Sequence, residues 1–335
     1  MNAQFTQHNL IFKQASGTSR GVLTTKETYL LEISKNGQKG IGECAIFRGL
    51  SYDDVPDYEE KLTWLCENIN LDFEVLKKEL LHYPSIIFGL EQALLNLEHG
   101  EDLYFPSDFT DGKDSIKING LIWMGNADFM QSQIEEKLAK GFDCIKLKIG
   151  VDWKSEKEII KKLREKFPKE QLELRVDANG AFSYEEATIV LQELADLGIH
   201  SIEQPIKKSE VRSPKSEENS EKKSTDCCIP WNKMARLCAE TPTPIALDEE
   251  LIGIIDFEEK KKLLETIKPQ YIILKPALVG GFSGSDEWIA IAESLGINWW
   301  ITSALESNIG LNAICQYTYT KKNPLPQGLG TGALF

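Results

Sequence analysis

The sequence predicts an α/β protein in which a closed parallel barrel follows a small α+β domain. From about residue 115 onward, seven short apolar segments alternate with amphipathic helical segments over nearly 200 residues, which favours a barrel over an open sheet. These strand segments are continuous apolar runs, as expected where both faces of a parallel sheet are covered. The first hundred residues instead contain strands followed by helices, a pattern typical of an α+β domain.

The N-terminal domain is predicted to begin with a β-hairpin followed by two helices. Residues 29–33 and 40–45 have strand character, and the Asn36-Gly37 pair between them favours a tight hairpin turn. Helices are expected over residues 58–68 and 85–98, where apolar residues recur at helical spacing. The sequence therefore predicts that the strands and helices of this region form one α+β domain.

We place the domain boundaries at residues 1–110 for the α+β domain and 111–321 for the barrel. The C-terminal tail, from about residue 322 to 335, is expected to pack back on the first domain. Residues 207–226 are rich in Lys, Glu and Ser with almost no large apolar residue, which predicts a mobile polar insertion after the fourth strand. A substrate lid is the alternative, disfavoured because the segment lacks aromatic residues and glycine hinges.

The barrel elements follow from the same alternation of apolar runs and helical periodicity. Strands are expected at residues 115–121, 144–148, 172–177, 201–204, 244–248, 271–275 and 298–303. Helices are expected between them, including 154–166 and 184–197.

Composition excludes several classes of function. Acidic residues outnumber Lys and Arg by 52 to 38, for a formal charge of −14, so a nucleic-acid partner is not expected. No signal peptide and no apolar run of about 20 residues is found, which favours a cytoplasmic protein without a membrane partner. The seven cysteines lack metal-site or disulfide spacing, and the four histidines are scattered. A zinc site, a disulfide framework and a Ser-His-Asp triad are therefore not expected.

Five successive barrel strands are predicted to end in a charged residue. In chain order these residues are Lys148, Asp177, Glu203, Asp248 and Lys275. Their spacing is 26 to 29 positions, except for one interval of 45 that contains the polar insertion. Because the carboxyl ends of parallel strands meet at one mouth of a barrel, these side chains are expected to converge there.

The order of these charges indicates a specific chemistry. Asp177, Glu203 and Asp248 would lie side by side, and three carboxylates in contact require a cation between them. Oxygen ligands alone favour Mg²⁺, with Mn²⁺ as an alternative. Lys148 and Lys275 would flank the ion, and either amine could serve as a base for removing a proton next to a substrate carboxylate. The alternative is a set of structural ion pairs at the barrel mouth.

Three further polar residues accompany this set. Lys146 shares a strand face with Lys148, and it either modulates the neighbouring pKa or contacts the substrate, or it is a supporting group. Asn179 and Glu249 lie beside predicted metal ligands and could support them. For either residue, turn chemistry or an exposed charge is the alternative.

At these residues the chain resembles the enolase superfamily, in its muconate-lactonizing branch with a lysine on each side of the metal. The matching motifs are Lys146-Leu-Lys148, Asp177-Ala-Asn179, Glu203-Gln-Pro205, Asp248-Glu249 and Lys275-Pro276. The resemblance spans nearly the whole chain. It implies an α+β capping domain over a modified TIM barrel of (β/α)7β type, bound Mg²⁺, and an enzyme with an anionic small-molecule substrate.

Residues 40–51, 84–90 and 328–332 resemble the o-succinylbenzoate-forming group of that branch. The resemblance implies dehydration of 2-succinyl-6-hydroxy-2,4-cyclohexadiene-1-carboxylate in menaquinone biosynthesis. In that reaction Lys148 would remove and return the proton, and Lys275 would stabilise the enediolate. The cap match is loose at Ile46-Phe47-Arg48, where that group usually has Pro-Leu-Pro.

The residues that hold the succinyl tail are predicted with alternatives. By the resemblance, Thr302 and Ser303 contact this tail, whereas their alternative is a helix N-cap. Arg20 could reach the pocket mouth, or it is simply an exposed arginine.

Two rival functions remain open at the level of sequence. An epimerase or racemase of N-succinylamino acids or dipeptides would use the same lysine pair. A free-amine substrate is disfavoured because residues 307–335 contain no Asp or Glu to pair with a buried ammonium group. A non-catalytic barrel that binds an anionic metabolite would not need a lysine on each side. The sequence leaves the oligomeric state open.

Overall fold

The computed structural model of the protein describes residues 1–18, 21–123, 125, 127–208 and 231–335. A three-stranded antiparallel sheet with helices precedes a curled parallel sheet of seven strands flanked by helices, which confirms the predicted fold class. Within these ranges, every helix is too short or too polar to cross a bilayer.

The elements are numbered in chain order. The strands are β1 Asn2–Thr18, β2 Gly21–Lys35, β3 Gln38–Cys44, β4 Gly120–Ile122, β5 Cys144–Lys148, β6 Glu173–Asp177, β7 Ser201–Glu203, β8 Ile245–Leu247, β9 Tyr271–Leu274 and β10 Asn298–Ile301. The helices are α1 Tyr58–Asn68, α2 Phe73–Glu79, α3 Pro84–His99, α4 Ala127–Ala139, α5 Trp153–Lys166, α6 Tyr184–Asp196, α7 Asn232–Glu240, α8 Phe257–Ile267, α9 Pro276–Val279, α10 Gly281–Ser294 and α11 Asn308–Thr320.

The N-terminal domain, called the cap below, is built on the sheet β1-β2-β3. The predicted hairpin is confirmed: β2 and β3 pair antiparallel through a turn in which Asn36 and Gly37 have φ of 54° and 82°, the left-handed conformation such turns require. The predicted helices correspond to α1 and α3. Two elements were not predicted, β1 and α2. β1 is an edge strand that pairs with β2 alone and lacks strong apolar alternation, whereas α2 has only seven residues.

The barrel strands β4 to β10 are parallel and adjacent in chain order. Six of them lie within two residues of the predicted bounds. The first barrel strand was predicted at residues 115–121, and its start was wrong. β4 begins at Gly120, and before it Ile118 forms an isolated β-bridge with Gln327. The predicted insertion lies outside the described residues beyond Lys208.

A short segment of the C-terminal tail closes the gap between β10 and β4. The Gln327 backbone N–H donates to Lys117 at 2.9 Å, and the Gly328 N–H donates to Ile301 at 2.8 Å. A Cβ at position 328 would lie 2.1 Å from Thr302 Oγ1, so this closure requires glycine. The seven strands and this segment together form the (β/α)7β arrangement.

The end of the tail also contacts the cap. The Lys13 N–H donates to the Leu334 carbonyl at 2.8 Å, and the rings of Phe12 and Phe335 lie 4.7 Å apart. One segment therefore joins the barrel seam to the cap sheet.

A buried carboxylate connects the cap to the barrel. Glu91, on α3, accepts backbone N–H groups of Phe282 at 2.5 Å and Ser283 at 3.1 Å. Both donors lie in the first turn of α10, where N–H groups lack partners within the helix. Burial raises the pKa of Glu91 to about 7.

This shifted pKa predicts a pH effect on stability. The folded chain binds a proton at Glu91 up to about pH 7, whereas the ordinary pKa is 4.5, so this group lowers the stability as pH rises between those values. In Glu91→Gln, the decrease of Tm from about pH 5 to about pH 8 should be smaller than in the unmodified protein. Glu98→Gln, on the exposed part of α3, is the control. Equal pH dependence in the Glu91 variant and the unmodified protein would contradict the prediction.

Candidate active site

The charged residues predicted at the strand ends lie at one mouth of the barrel. Lys148, Asp177 and Glu203 are the last residues of β5, β6 and β7, and the register places Lys148 opposite Asp177 and Asp177 opposite Glu203. Asp248 follows β8 directly, and Lys275 follows β9. Sequence reasoning succeeded here because consecutive strands are also neighbours in the sheet.

Two lysines of β5 contact the carboxylates of the next two strands. The Lys148 ammonium lies 2.7 Å from Asp177 Oδ2. The Lys146 ammonium lies 3.0 Å from the same oxygen and 2.7 Å from Glu203 Oε2. Lys146 is thus a direct neighbour of two predicted metal ligands, and its side chain is almost fully buried.

Burial and neighbouring charges shift the pKa values of the three carboxylates in different directions. Burial opposes ionisation of Asp177, yet the charges of Lys146 and Lys148 hold its pKa well below the usual range. Burial and the Asp177 charge raise the pKa of Glu203 to about 8. Burial also raises the pKa of Asp248. Three fully charged carboxylates are therefore not favoured at this site without additional positive charge.

Lys275 approaches the same cluster from the other side. Its ammonium pairs with Asp248 and lies 3.9 Å from Glu203 Oε1. Burial favours the neutral amine, but the charges of Asp248 and Glu203 raise the pKa of Lys275 above its usual range. In this arrangement Lys275 is a stable cation.

The two predicted catalytic lysines line one cavity at the barrel mouth. Lys148 and Lys275 both line a cavity of about 290 Å³, close to the lower size limit of about 300 Å³ for small-molecule pockets. Because β6, β7 and β8 lie between their strands, the two amines approach the cavity from opposite sides. A bound molecule would meet one amine on each face.

The carboxylates fit a hard divalent cation by chemistry and by position. Among the described residues, no group of three or more Asp, Glu, His or Cys side chains is close enough together to hold a metal ion in this structure, because lysine ammonium groups lie between the carboxylates. Asp177, Glu203 and Asp248 nevertheless offer only oxygen donors from adjacent strands, the donor set of Mg²⁺. Glu203 Oε1 is buried without a hydrogen-bond donor among the described residues, so it has an open ligand position.

Asn179 and Glu249 support the cluster. Asn179 Oδ1 accepts from Lys148 at 2.5 Å, and Asn179 Nδ2 donates to Glu249 at 2.9 Å. Asn179 also has φ of 45°, so it combines the turn role and the supporting role that the sequence left as alternatives. Glu249 is buried, so the exposed-charge alternative was wrong.

Gln204 is a supporting residue that the sequence analysis did not select. It is fully buried with φ of 40°. Its side-chain carbonyl accepts the backbone N–H groups of Asp248 at 3.3 Å and Glu250 at 3.2 Å. Gln204 thereby ties the end of β7 to the end of β8, a role that its place next to Glu203 in the sequence could have indicated.

Thr302 and Ser303 line the cavity on the side of β10. Thr302 Oγ1 donates to the Gly328 carbonyl at 2.8 Å, and Ser303 Oγ donates to Glu306 at 2.7 Å. The helix N-cap alternative was wrong, because Ser307 caps α11. Arg20 lies outside the described residues.

The cap loop that follows β3 forms the outer wall of the cavity. Phe47, Arg48, Gly49 and Leu50 line it, although the Arg48 guanidinium is already paired with Asp54 at 2.8 Å. Sequence reasoning did not select these residues as a site, because only docking of the cap brings the loop over the barrel mouth.

The family model of the enolase C-terminal domain-like proteins matches residues 130–216 and 226–332. These residues include every strand end that carries the candidate site. The chain belongs to the enolase superfamily. Its superfamily relatives are enzymes, and the chain is an enzyme of this superfamily.

Three superfamily members are similar to this chain. It is 41% identical to the o-succinylbenzoate synthase of Desulfotalea psychrophila, covering 100% of this chain and 94% of that one. The crystal structure of MenC from the same organism superposes with a TM-score of 0.83 at 40% identity, covering 100% and 95% of the two chains.

The other two members are more distant. The N-succinylamino acid racemase of Thermus thermophilus is 33% identical over 88% of this chain and 75% of its own length. The o-succinylbenzoate synthase of Thermosynechococcus elongatus, solved with Mg in its active site, has a TM-score of 0.74 at 22% identity over 98% and 92% of the two chains. At that identity it shows a shared fold alone.

Proposed function

We propose that this protein is an o-succinylbenzoate synthase, a hydro-lyase that dehydrates 2-succinyl-6-hydroxy-2,4-cyclohexadiene-1-carboxylate in menaquinone biosynthesis. The observation that carries the proposal is the pair of opposed amines, Lys148 and Lys275, which line one cavity and pair with carboxylates of the cluster at the barrel mouth. The full-length relationship to an o-succinylbenzoate synthase at 41% identity supports the choice of substrate.

We propose Mg²⁺ as the cofactor, with Mn²⁺ as a substitute, held by Asp177, Glu203 and Asp248. When bound, such an ion supplies positive charge beside the substrate carboxylate. The buried, open oxygen of Glu203 and the oxygen-only donor set support this assignment. A relative of the same fold is solved with Mg in its active site.

In the proposed mechanism, the neutral amine of Lys148 accepts the proton from the ring carbon next to the carboxylate. Lys275, whose positive charge is favoured by its surroundings, stabilises the negative charge of the enediolate from the opposite face. The Lys148 ammonium then returns its proton to the departing hydroxyl, which leaves as water. The ring becomes aromatic in this step, and the lysine is again neutral.

Lys146, Asn179 and Glu249 are proposed to keep the catalytic lysine in place. Lys146 contacts Asp177 from the same strand face, and Asn179 links Lys148 to Glu249. We assign Thr302 and Ser303, which line the cavity, to the succinyl tail.

Racemisation of N-succinylamino acids is the second candidate. Two observations favour it: the amines lie on opposite sides of the cavity, as proton transfer between two faces requires, and one relative with 33% identity is an N-succinylamino acid racemase. Its substrates also carry a carboxylate and a succinyl group.

The assay that tests the proposal adds the cyclohexadiene substrate with Mg²⁺ and follows the aromatic product by ultraviolet absorbance. We expect product formation that EDTA abolishes and added Mg²⁺ restores. N-succinylamino acids are tested in parallel by following exchange of the α-proton in D₂O. Racemisation without formation of o-succinylbenzoate would reject the proposal in favour of the second candidate. The absence of both reactions would indicate a barrel that only binds anions.

A further inference from the structure

Glu43 is a buried carboxylate of the cap that the proposed mechanism does not use. It lies on β3, and its side chain is fully enclosed. Its Oε1 accepts from Thr28 Oγ1 at 2.8 Å. Its Oε2 accepts the backbone N–H groups of Ser307 at 2.9 Å and Gly310 at 3.0 Å, and the Ser307 hydroxyl donates to the same oxygen at 2.5 Å. Because Ser307 and Gly310 belong to the barrel, Glu43 attaches the cap to it.

The barrel donors of Glu43 lie at the start of α11. Ser307 is the N-cap residue of this helix, and the first N–H groups of a helix lack partners within it. A negative charge is favoured there by the helix dipole. A Cβ at position 310 would lie 2.7 Å from Glu43 Oε2, so glycine at this position permits the close approach of the carboxylate. A side chain of the cap therefore caps a helix of the barrel.

The loop that leads into α11 forms a wall of the cavity. Residues 302–305 line the cavity, and Ser307 follows two residues later. Leu305 has φ of 62°, a left-handed conformation that a residue with a Cβ retains only where the surrounding structure fixes it. Before the loop, β10 is fixed by pairing with β9. After the loop, the contact of Ser307 with Glu43 fixes the other end.

Glu91 attaches the cap to the barrel in the same way at a different helix. Its carboxylate accepts the N–H groups of Phe282 and Ser283 at the start of α10. Neither of these donors is among the described residues that line the cavity. Of these two cap carboxylates, Glu43 is thus the one whose helix start adjoins the cavity wall.

We propose that Glu43 is a positioning residue: by capping α11, it fixes residues 302–305 in the conformation that receives the substrate. The barrel side of the pocket then takes its final shape only when the cap is docked. The inference rests on the proposed function for the identity of the substrate.

The test compares steady-state kinetics and Tm of Glu43→Met and Glu91→Met with those of the unmodified protein. Each substitution removes a buried acceptor from the N–H groups of a helix start and keeps an unbranched side chain, so both should lower Tm. We expect Glu43→Met to raise KM about tenfold and to change kcat less than about threefold, because the wall contacts substrate without taking part in proton transfer. Glu91→Met is the matched control, and its KM should stay within about twofold of the unmodified value.

The two variants separate positioning of the wall from a general loss of cap docking. An equal rise of KM in both variants overturns the proposal, and so does an unchanged KM in Glu43→Met. If Glu43→Met does not fold, Ser307→Ala decides the question. It removes the hydroxyl that donates to Glu43 and caps α11, and it should raise KM about threefold with kcat unchanged. An unchanged KM in Ser307→Ala then overturns the proposal.

Hydrogen exchange gives a readout that does not depend on turnover. In the wall, the Ala304 N–H donates to Glu306 at 2.7 Å and the Leu305 N–H donates to Ser303 at 3.0 Å. Peptides covering residues 302–306 should exchange about tenfold faster in Glu43→Met and at the unmodified rate in Glu91→Met. Unchanged exchange in Glu43→Met overturns the proposal. If the unmodified protein does not convert the cyclohexadiene substrate, the proposed function fails, whereas this comparison still decides the role of Glu43.

Discussion

Lys148→Ala is expected to lower kcat for the dehydration by about 10²–10⁴-fold or more, because the variant lacks the group that accepts and returns the proton. The fold should survive, since the side chain lies at the barrel mouth and Lys146 still pairs with Asp177. The measurement is kcat with saturating substrate and Mg²⁺, together with Tm and far-ultraviolet circular dichroism.

Two matched variants make this result specific. Lys148→Arg keeps a positive charge beside Asp177, but a guanidinium does not give up its proton in proteins, so it should be about as inactive as the alanine variant. Lys154→Ala, at an exposed position of α5, should retain full activity. Substantial turnover in Lys148→Ala or Lys148→Arg would refute the assigned role.

Glu203→Gln is expected to abolish Mg²⁺ binding in isothermal titration and to reduce kcat by roughly 10³-fold, since charge stabilisation by a metal is worth several kcal/mol. Glutamine preserves the shape of the side chain but removes the central charge among Asp177, Glu203 and Asp248. EDTA treatment of the unmodified protein should produce a comparable loss that excess Mg²⁺ reverses, whereas Mg²⁺ should not restore the variant.

The control for this prediction is Glu165→Gln, an exposed carboxylate of α5. It should bind Mg²⁺ and turn over substrate as the unmodified protein does. Undiminished Mg²⁺ affinity in Glu203→Gln, with Tm unchanged, would remove Glu203 from the ligand set and require a different site for the ion.

The strand ends of the barrel illustrate what could be predicted from sequence. Lys148, Asp177 and Glu203 terminate apolar segments, and in a parallel barrel consecutive segments are neighbours with their carboxyl ends on one side. Their proximity therefore followed from chain order alone. The structure places these three residues opposite one another in register.

The elements that were missed depend on contacts distant in sequence. β1 has a weak pattern of its own and is held by its pairing with β2. The closing segment at Gln327 and Gly328 lacks the length of a strand, and it is extended because β10 on one side and the residues before β4 on the other supply its hydrogen bonds. Such partners are distant in the chain, so the local sequence does not predict them.

The sequence by itself determined the order of charges around the barrel mouth, because consecutive strand–helix units place successive strand ends side by side. Only the tertiary structure decided which groups enclose that mouth. The cap loop at Phe47 and the tail at Thr331 come from two distant parts of the chain. They meet because the cap docks through Glu91 and the barrel seam closes with the tail, and such docking depends on surface complementarity that no local pattern encodes.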